Sequence, residues 1–403
     1  MTDDRFTRLR AIQARAYERA PAIRALFDGA GLRPEQLGNA ADLTRLPVFK
    51  KEAMIEQQRK APPYGGFLAA DPADIERIFV SPGPINEPQL RSEDDAFGFG
   101  AAFAAAGIGK GDVVLNTWSY HLVPAGLLLD EGIRNTGATV IPAGTGGSEM
   151  QAKLVRDLGV TCICAATAYF VTLAETLEQA GHELPRDWGV TSAFLGGEFG
   201  DWMGKRRRLE ARYGIRTFSV YATADFGLIG FERPGKEGYE THPDRIVQIC
   251  DPVSGLPLPI GEPGEIVVST LRPGWPLIRF GTGDVAIARE LHGDGSVAHI
   301  SMLQGRVGQS VKAREIFIYP RQLEDLAIAI PGVLRAQASI SREGHRDCVT
   351  LRLSLQDETD AAGVTEPAQA KFRELSRLKA DHVEIVTAAE LPPEAPLVRD
   401  LRQ

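Results

Sequence analysis

The stretch Pro276-Leu277-Ile278-Arg279-Phe280-Gly281-Thr282-Gly283-Asp284-Val285 carries the most informative turn of this 403-residue chain. An apolar run leads into two glycines around a threonine, and the turn delivers one carboxylate, Asp284. A carboxylate held there can accept two hydrogen bonds from a vicinal diol such as that of a ribose. A capped surface turn would read the same way, so the neighbouring segments decide its meaning.

Downstream, Gly305-Arg306 opens GRVGQSVKAREIFIYPRQLEDL, and the character of the chain changes there. An arginine at such a point suits either a simple linker or a hinge, where it can touch a ligand while the domain behind it rotates. Upstream lies VYATADFGLIGFE, with Tyr221 following a strand-like run and Asp225 in a glycine-containing turn. An aromatic ring can stack on adenine. A carboxylate at a strand's C-terminal end can hold Mg²⁺ beside phosphates. An ordinary strand-end turn is the plainer alternative.

Further out, residues 113–240 alternate short apolar runs with amphipathic ones. Val113–Leu115, Thr139–Ile141, Val160–Cys164, Ala193–Leu195 and Thr217–Tyr221 are expected strands. Gly144-Thr145-Gly146-Gly147 marks a turn before a helix from Glu149. Such alternation predicts parallel strands covered by helices. Residues 4–28 read as a helix on the spacing of Phe6, Leu9, Ile12 and Ala16, interrupted at Pro21. After residue 244, Ile246–Ile249 and Ile266–Val268 flank the Gly/Pro-rich GLPLPIGEPGE, a pattern of β connections. From about residue 306 a small α+β unit follows, with a helix starting at Pro320 and a half-buried strand marked by Val349, Leu351, Leu353 and Leu355. The expected fold is α/β, with a large domain over 1–304 that pairs parallel sheets and helices with a β-rich section. A small α+β lid domain is expected over 305–403.

Composition narrows the function classes. Hydrophobic residues make up 43% and charged residues 24%, which excludes a disordered chain. With 45 basic against 53 acidic side chains the net charge is −8, so the broad basic surface that nucleic acid requires is not expected. Cys162, Cys164, Cys250 and Cys348 form no CxxC pair and no Cys/His zinc pattern, and read as buried thiols of a reducing compartment. No run approaches the roughly 18 apolar residues of a membrane span, and the polar start lacks a signal-like apolar segment. A cytoplasmic protein without membrane or nucleic-acid partners is the expectation.

Taken together and in order, the three segments resemble the phenylacetate-CoA ligase family of adenylate-forming enzymes. PLIRFGTGDV is similar to the family's PLIRYRTGD. GRVGQSVKAREIFIYPRQLE is similar to GRxDDMxxxRGxxxFPxQxE, with the same spacing from Gly305 to Pro320. Leu195-Gly196-Gly197-Glu198 resembles the GAEP turn bordering adenine, and Tyr221–Gly227 resembles Y-G-x-T-E-x-G. GATVIPAGTGGSEMQ, AYERAPAIRALFDGAG and DLTRLPVFKKE extend the resemblance over nearly the whole chain. It implies a two-step reaction. A carboxylate attacks the α-phosphate of ATP to give an acyl-adenylate and pyrophosphate, and after rotation of the C-terminal domain a thiol, usually coenzyme A, displaces AMP. The implied partners are thus a carboxylic acid, expected to be aromatic, and CoA or another acceptor, with ATP/AMP and Mg²⁺ as cofactors. A homodimer is compatible with the family.

Carried over position by position, Gly197, Glu198 and Tyr221 would border adenine, and Asp225 would approach Mg²⁺. Ser81 and Gly83 would belong to the phosphate loop. Asp284 would hold the ribose hydroxyls with Arg306 contacting the nucleotide from the hinge. Lys312 would be the basic group of the hinge segment, and Tyr120 and His121 would line the acid pocket.

The resemblance breaks at two catalytic places. The family's S-S-G-T-T-G-K-P-T loop corresponds to Ser81-Pro82-Gly83-Pro84-Ile85-Asn86-Glu87-Pro88-Gln89. The two prolines carry no N–H, and Glu87 stands for the lysine, turning one local charge from +1 to −1. The C-terminal LPPEAPLVRDLR has Ala395 and Pro396 near the place of the family's second lysine. Gly308 and Gln309 replace aspartates in the hinge, Ala224 replaces a hydroxyl residue, and Gly281 replaces an arginine. A working AMP-forming ligase is therefore the first expectation. The alternative is a divergent homologue that binds AMP, acyl-adenylate or acyl-CoA without ATP-driven adenylation, either as a partial-reaction acyltransferase or as a regulatory binding protein.

Overall fold

The computed structural model describes residues 5–81, 85–91, 97–196, 202–314, 316–343, 346–357 and 359–402. The N-terminal helical stretch is divided as Pro21 predicts. Helix α1 (Arg5–Arg19) ends before it, and Pro21 takes the first turn of α2 (Pro21–Gly29), where a missing N–H costs nothing. Phe6, Leu9, Gln13 and Ala16 form the buried stripe of α1. The segment after it makes three short elements. Asn39 caps α3 (Ala40–Leu43), strand β1 is Phe49–Lys50, and α4 is Lys51–Lys60. An antiparallel hairpin follows, β2 (Ile75–Ser81) with β3 (Ile85–Leu90).

The α/β alternation then builds a five-stranded parallel sheet. Its members are β4 (Val113–Asn116), β5 (Thr139–Pro142), β6 (Cys162–Ala166), β7 (Ser192–Gly196) and β8 (Arg216–Phe218), in the order β5-β4-β6-β7-β8. Helices α5 (Phe99–Ala105) and α6 (Ala125–Asn135) cover one face. Phe103 meets Phe194 there at 4.4 Å between ring centroids. Helices α7 (Ser148–Asp157), α8 (Thr167–Gln179) and α9 (Trp202–Tyr213) cover the other, around Phe170, Leu173 and Tyr213. Because both faces are covered, the central strands β4, β6 and β7 are largely apolar and buried rather than alternating. The chain runs from β4 out to β5 and then returns to the far side of β4, which makes a switch point at the strands' C-terminal ends, where open α/β sheets bind ligands.

One expected strand divides in two. Thr217–Tyr221 reads as a single run, but β8 stops at Phe218 and β9 (Val220–Thr223) joins a different sheet. Ser219 between them gives its N–H to Glu232 Oε2 at 2.8 Å, so its backbone leaves the ladder. That carboxylate also receives Arg206 of α9, at 2.7 and 2.8 Å. Arg206 is therefore 4% exposed, while the next two residues, Arg207 and Arg208, face solvent.

The β-rich section comprises β10 (Gly227–Arg233), β11 (Lys236–Thr241), β12 (Arg245–Cys250), β13 (Pro263–Thr270), β14 (Phe280–Leu291) and β15 (Val297–Ile300). With β9 they lie in the order β12-β13-β14-β15-β11-β10-β9, and β1 adds in parallel at Phe49 and Phe280. In the PLIRFGTGD stretch, Arg279 is structural: it is buried and donates to the carbonyls of Leu43 and Gly255. Gly281 is demanded by space, since a side chain there would strike the Glu265 carboxylate held by Lys50.

Two compact units result. The second consists chiefly of Leu303–Gln403 and takes Gly283–Ala286 from the middle of β14. Asp284, expected within a 1–304 domain, belongs by its contacts to this second unit. Within it, β16 (Gly305–Arg306) pairs with β14 at Asp284 and Val285. A hairpin of β17 (Val311–Ala313) and β18 (Ile316–Ile318) leads to α10 (Pro320–Ala329), which starts at Pro320 as expected. The remaining strands β19 (Val333–Glu343), β20 (Arg346–Leu355), β21 (His382–Val386) and β22 (Val398–Asp400) lie in the order β21-β20-β19-β22, with α11 (Ala361–Ser376) inserted before β21. Val349, Leu351 and Leu353 are fully buried, as their alternation predicts. All four cysteines are buried free thiols. No helix among the described residues is long and apolar enough to cross a membrane.

Candidate active site

The divergent phosphate loop is the β2–β3 hairpin. Its tip, Pro82–Pro84, lies outside the described residues, and Gly83 with it. The strands flanking the tip pair Phe79 with Glu87 and Ser81 with Ile85. Ser81 Oγ donates to Glu87 Oε1 at 2.7 Å, and both residues are buried. The turn between β9 and β10 brings Asp225, 5% exposed, up to the same place. Lys51, the first residue of α4, reaches Asp225 Oδ2 with Nζ at 3.4 Å. Helix α4 is fastened to the hairpin by a double amide contact: Gln58 Nε2 donates to the Asn86 carbonyl at 2.9 Å, and Asn86 N–H donates to Gln58 Oε1 at 2.8 Å.

Glu87 is thus an interior group, and this changes its charge. Burial, and then the neighbouring Asp225 carboxylate, push its pKa up to about 8; the Ser81 hydrogen bond and the Lys51 charge oppose the rise. Both influences favour the neutral carboxylic acid over the carboxylate, so the expected swing from +1 to −1 is softened in that direction.

Strand β9 connects this cluster to a cavity of about 260 Å³. Its walls are Phe99, Trp118, Leu129, Phe194 and Val220, with Gly196 and Ser219 at the strand ends. The lining is largely aromatic and aliphatic, and it lies at the C-terminal ends of β7 and β4, where the switch point falls. Gly196 is required by closeness: a Cβ there would stand 3.0 Å from the Trp118 indole. Of the two residues expected at the acid pocket, neither lines this cavity. Tyr120 is half-buried, with its hydroxyl accepting from Asn116 Nδ2 at 2.9 Å and donating to Asp130 at 3.2 Å. Burial, with the Asp130 charge behind it, pushes its pKa up. His121 is exposed, with its N–H on Ser119 Oγ at 3.2 Å. Trp118, two residues before Tyr120, faces the cavity instead, and the sequence reading missed it.

Tyr221 lies on β9, is 4% exposed, and sets its ring 6.4 Å from that of Tyr239. Gly197 and Glu198 fall outside the described residues. In the second unit, Arg306 Nε approaches Asp284 Oδ1 at 3.3 Å, so these two expected nucleotide contacts are neighbours in space. Lys312 sits on β17, and its side chain lies outside what is described. The C-terminal stretch without lysine is tied to β19: Arg335 donates to the Ala395 carbonyl at 2.6 Å and Gln337 to that of Pro396 at 2.7 Å. Lys51 is the other group missed from sequence. Its only signal was a basic residue at the first turn of a helix, which is usually solvated.

Relatives place this geometry. No protein-family model matches the chain. A phenylacetate-coenzyme A ligase of Thermus thermophilus is 30% identical over 367 residues, covering 87% of this chain and 80% of that protein. One of Pseudomonas putida is 29% identical over 370 residues, covering 87% and 81%. Among solved structures, a 2-hydroxyisobutyryl-CoA ligase in an open conformation, bound to 2-HIB-AMP and CoA, superposes with a TM-score of 0.85 at 22% identity, covering 98% of this chain and 91% of that one. An amide bond synthetase of Marinactinospora thermotolerans follows at a TM-score of 0.54 and 20% identity, covering 81% and 68%. The fold is that of the adenylate-forming ligases, and the chain belongs to the phenylacetate-CoA ligase family.

Proposed function

We propose that this chain activates an aromatic carboxylic acid with ATP and passes the acyl group to CoA, by the two displacements of its family. In the first, a carboxylate oxygen forms a bond to the α-phosphorus while the α–β bridging bond breaks and pyrophosphate leaves. In the second, the CoA sulfur, losing its proton, bonds to the acyl carbon while the bond to the AMP oxygen breaks. The observation that carries this reading is the apolar aromatic cavity joined by β9 to the Lys51–Asp225 pair. A ring seated among Phe99, Trp118 and Phe194 would point its carboxylate along β9 toward the phosphates.

Roles follow from that placement together with the family pattern. Lys51 supplies positive charge where two anions must meet. Ser81 and Gly83 contribute the hairpin's remaining phosphate contacts. Tyr221, with Gly197 and Glu198, borders adenine. Asp284 takes the ribose hydroxyls beside Arg306, and Leu303–Gln403 acts as the lid that brings Lys312 to the site between the two steps. The donors at Asp225 fit Mg²⁺: its carboxylate offers hard oxygens, and a buried carboxyl oxygen of Glu87 without a hydrogen-bond donor lies beside it. Mg²⁺ bound there supplies neutralising charge for the leaving pyrophosphate.

ATP–pyrophosphate exchange across a panel of aryl and arylacetic acids tests the reading. Acid-dependent exchange is the expected result, and no exchange with any acid would overturn it. A second reading is favoured by one observation, the fastening of Ala395 and Pro396 to β19 where the family has a lysine. It is a homologue that binds AMP or an acyl-adenylate without forming one, and AMP binding without exchange is its signature.

A further inference from the structure

Glu87 reverses the family's residue at the phosphate loop, and the roles above give it no part beyond lying beside Asp225. Yet it is held with care. Its Oε1 accepts from Ser81 Oγ at 2.7 Å, and the side chain is 1% exposed. Its Oε2 is buried with no hydrogen-bond donor among the described residues, and the Asp225 carboxylate stands beside it. Two carboxylate oxygens cannot satisfy each other, so the gap between them takes a proton or a cation. Lys51 pairs directly with Asp225, at 3.4 Å, and acts on Glu87 only through its charge, so one cation serves two carboxyl groups. The Gln58–Asn86 amide contacts hold α4 against β3, which keeps the groups together. A carboxylate that merely stood in for an exposed lysine would lie in water, since burying one without a partner is unfavourable.

The geometry points to Glu87 as a second oxygen ligand, with Asp225, for the divalent cation that accompanies the nucleotide. Mg²⁺ is commonly held by one or two carboxylates, with phosphate oxygens and water completing its shell. A divalent ion between these two carboxylates and Lys51 leaves net positive charge facing the phosphates, which is what the absent loop lysine would have provided. This inference rests on the ATP-dependent reading of the same site and adds a residue to it.

The test titrates the full chain with Mn²⁺, reading free ion by its electron paramagnetic resonance signal, and competes it with Mg²⁺. The wild type is expected to hold one Mn²⁺ that Mg²⁺ displaces. Glu87→Gln, nearly isosteric, should weaken it at least tenfold while AMP affinity by calorimetry stays within twofold, and Asp225→Asn should weaken the same ion independently. Equal Mn²⁺ affinity in the wild type and Glu87→Gln overturns the inference, as does a wild type that holds no displaceable Mn²⁺. The two readings fail separately. A Glu87-dependent Mn²⁺ site in a protein without exchange activity upholds the cation site and removes the ligase. Exchange activity with Mn²⁺ binding indifferent to Glu87 keeps the ligase and removes the site.

Discussion

Lys51 is bound to Asp225 at 3.4 Å and keeps 30% of its side chain exposed, so it is tethered but still open on one side. If it faces the phosphates, Lys51→Met should lower ATP–pyrophosphate exchange about 100-fold, in the range seen when one electrostatic contact to a transition state is removed. AMP, which lacks the outer phosphates, should bind nearly unchanged by calorimetry, and a parallel loss of AMP affinity would instead assign the lysine to general nucleotide binding. Single residues were the least legible part of the sequence. The substitution at Glu87 was visible, but its protonation was not, because that depends on Asp225, 138 positions along the chain, and on burial. Trp118 was passed over for Tyr120 and His121, since loop side chains two residues apart give no periodicity to say which one faces inward.

Elements were more legible, because strand and helix periods are local. The runs at Val113–Leu115, Thr139–Ile141 and Ala193–Leu195 became β4, β5 and β7 with edges moved by one residue. The failure at Thr217–Tyr221 has a tertiary cause: the Glu232 carboxylate takes the Ser219 N–H and lets the chain change sheets there. Glu232 is paired inside with Arg206 at 2.7 and 2.8 Å, so the pair also locks α9 to β10. Arg206→Ala would leave that carboxylate buried without its partner. The expected loss is roughly 3–5 kcal/mol, read as a lower denaturant midpoint. Arg206→Met should be no milder, because it too leaves the charge uncompensated, and tolerance of either variant would show that water reaches Glu232.

At the scale of the whole molecule, the order of α/β body, β-rich section and α+β unit followed from composition shifts and strand spacing alone. The borrowing of Gly283–Ala286 by the second unit did not, since it depends on β16 pairing back onto β14. That junction carries Gly305 at φ +135°, a conformation L side chains rarely adopt, with Pro320 Cδ 3.3 Å from where a Cβ would stand. If the second unit rotates between adenylation and thioester formation, Gly305→Ala should slow acyl-CoA formation several-fold more than pyrophosphate exchange. Equal slowing of both steps would count against rotation about this residue. The four thiols have a further consequence. All four are buried, and burial pushes the Cys164 thiol well up and the Cys250 thiol to about 11, away from the thiolate form. The folded chain therefore offers maleimides only buried thiols, and a dye pair placed on two introduced surface cysteines, one per unit, would report by energy transfer whether the two units move relative to each other in solution.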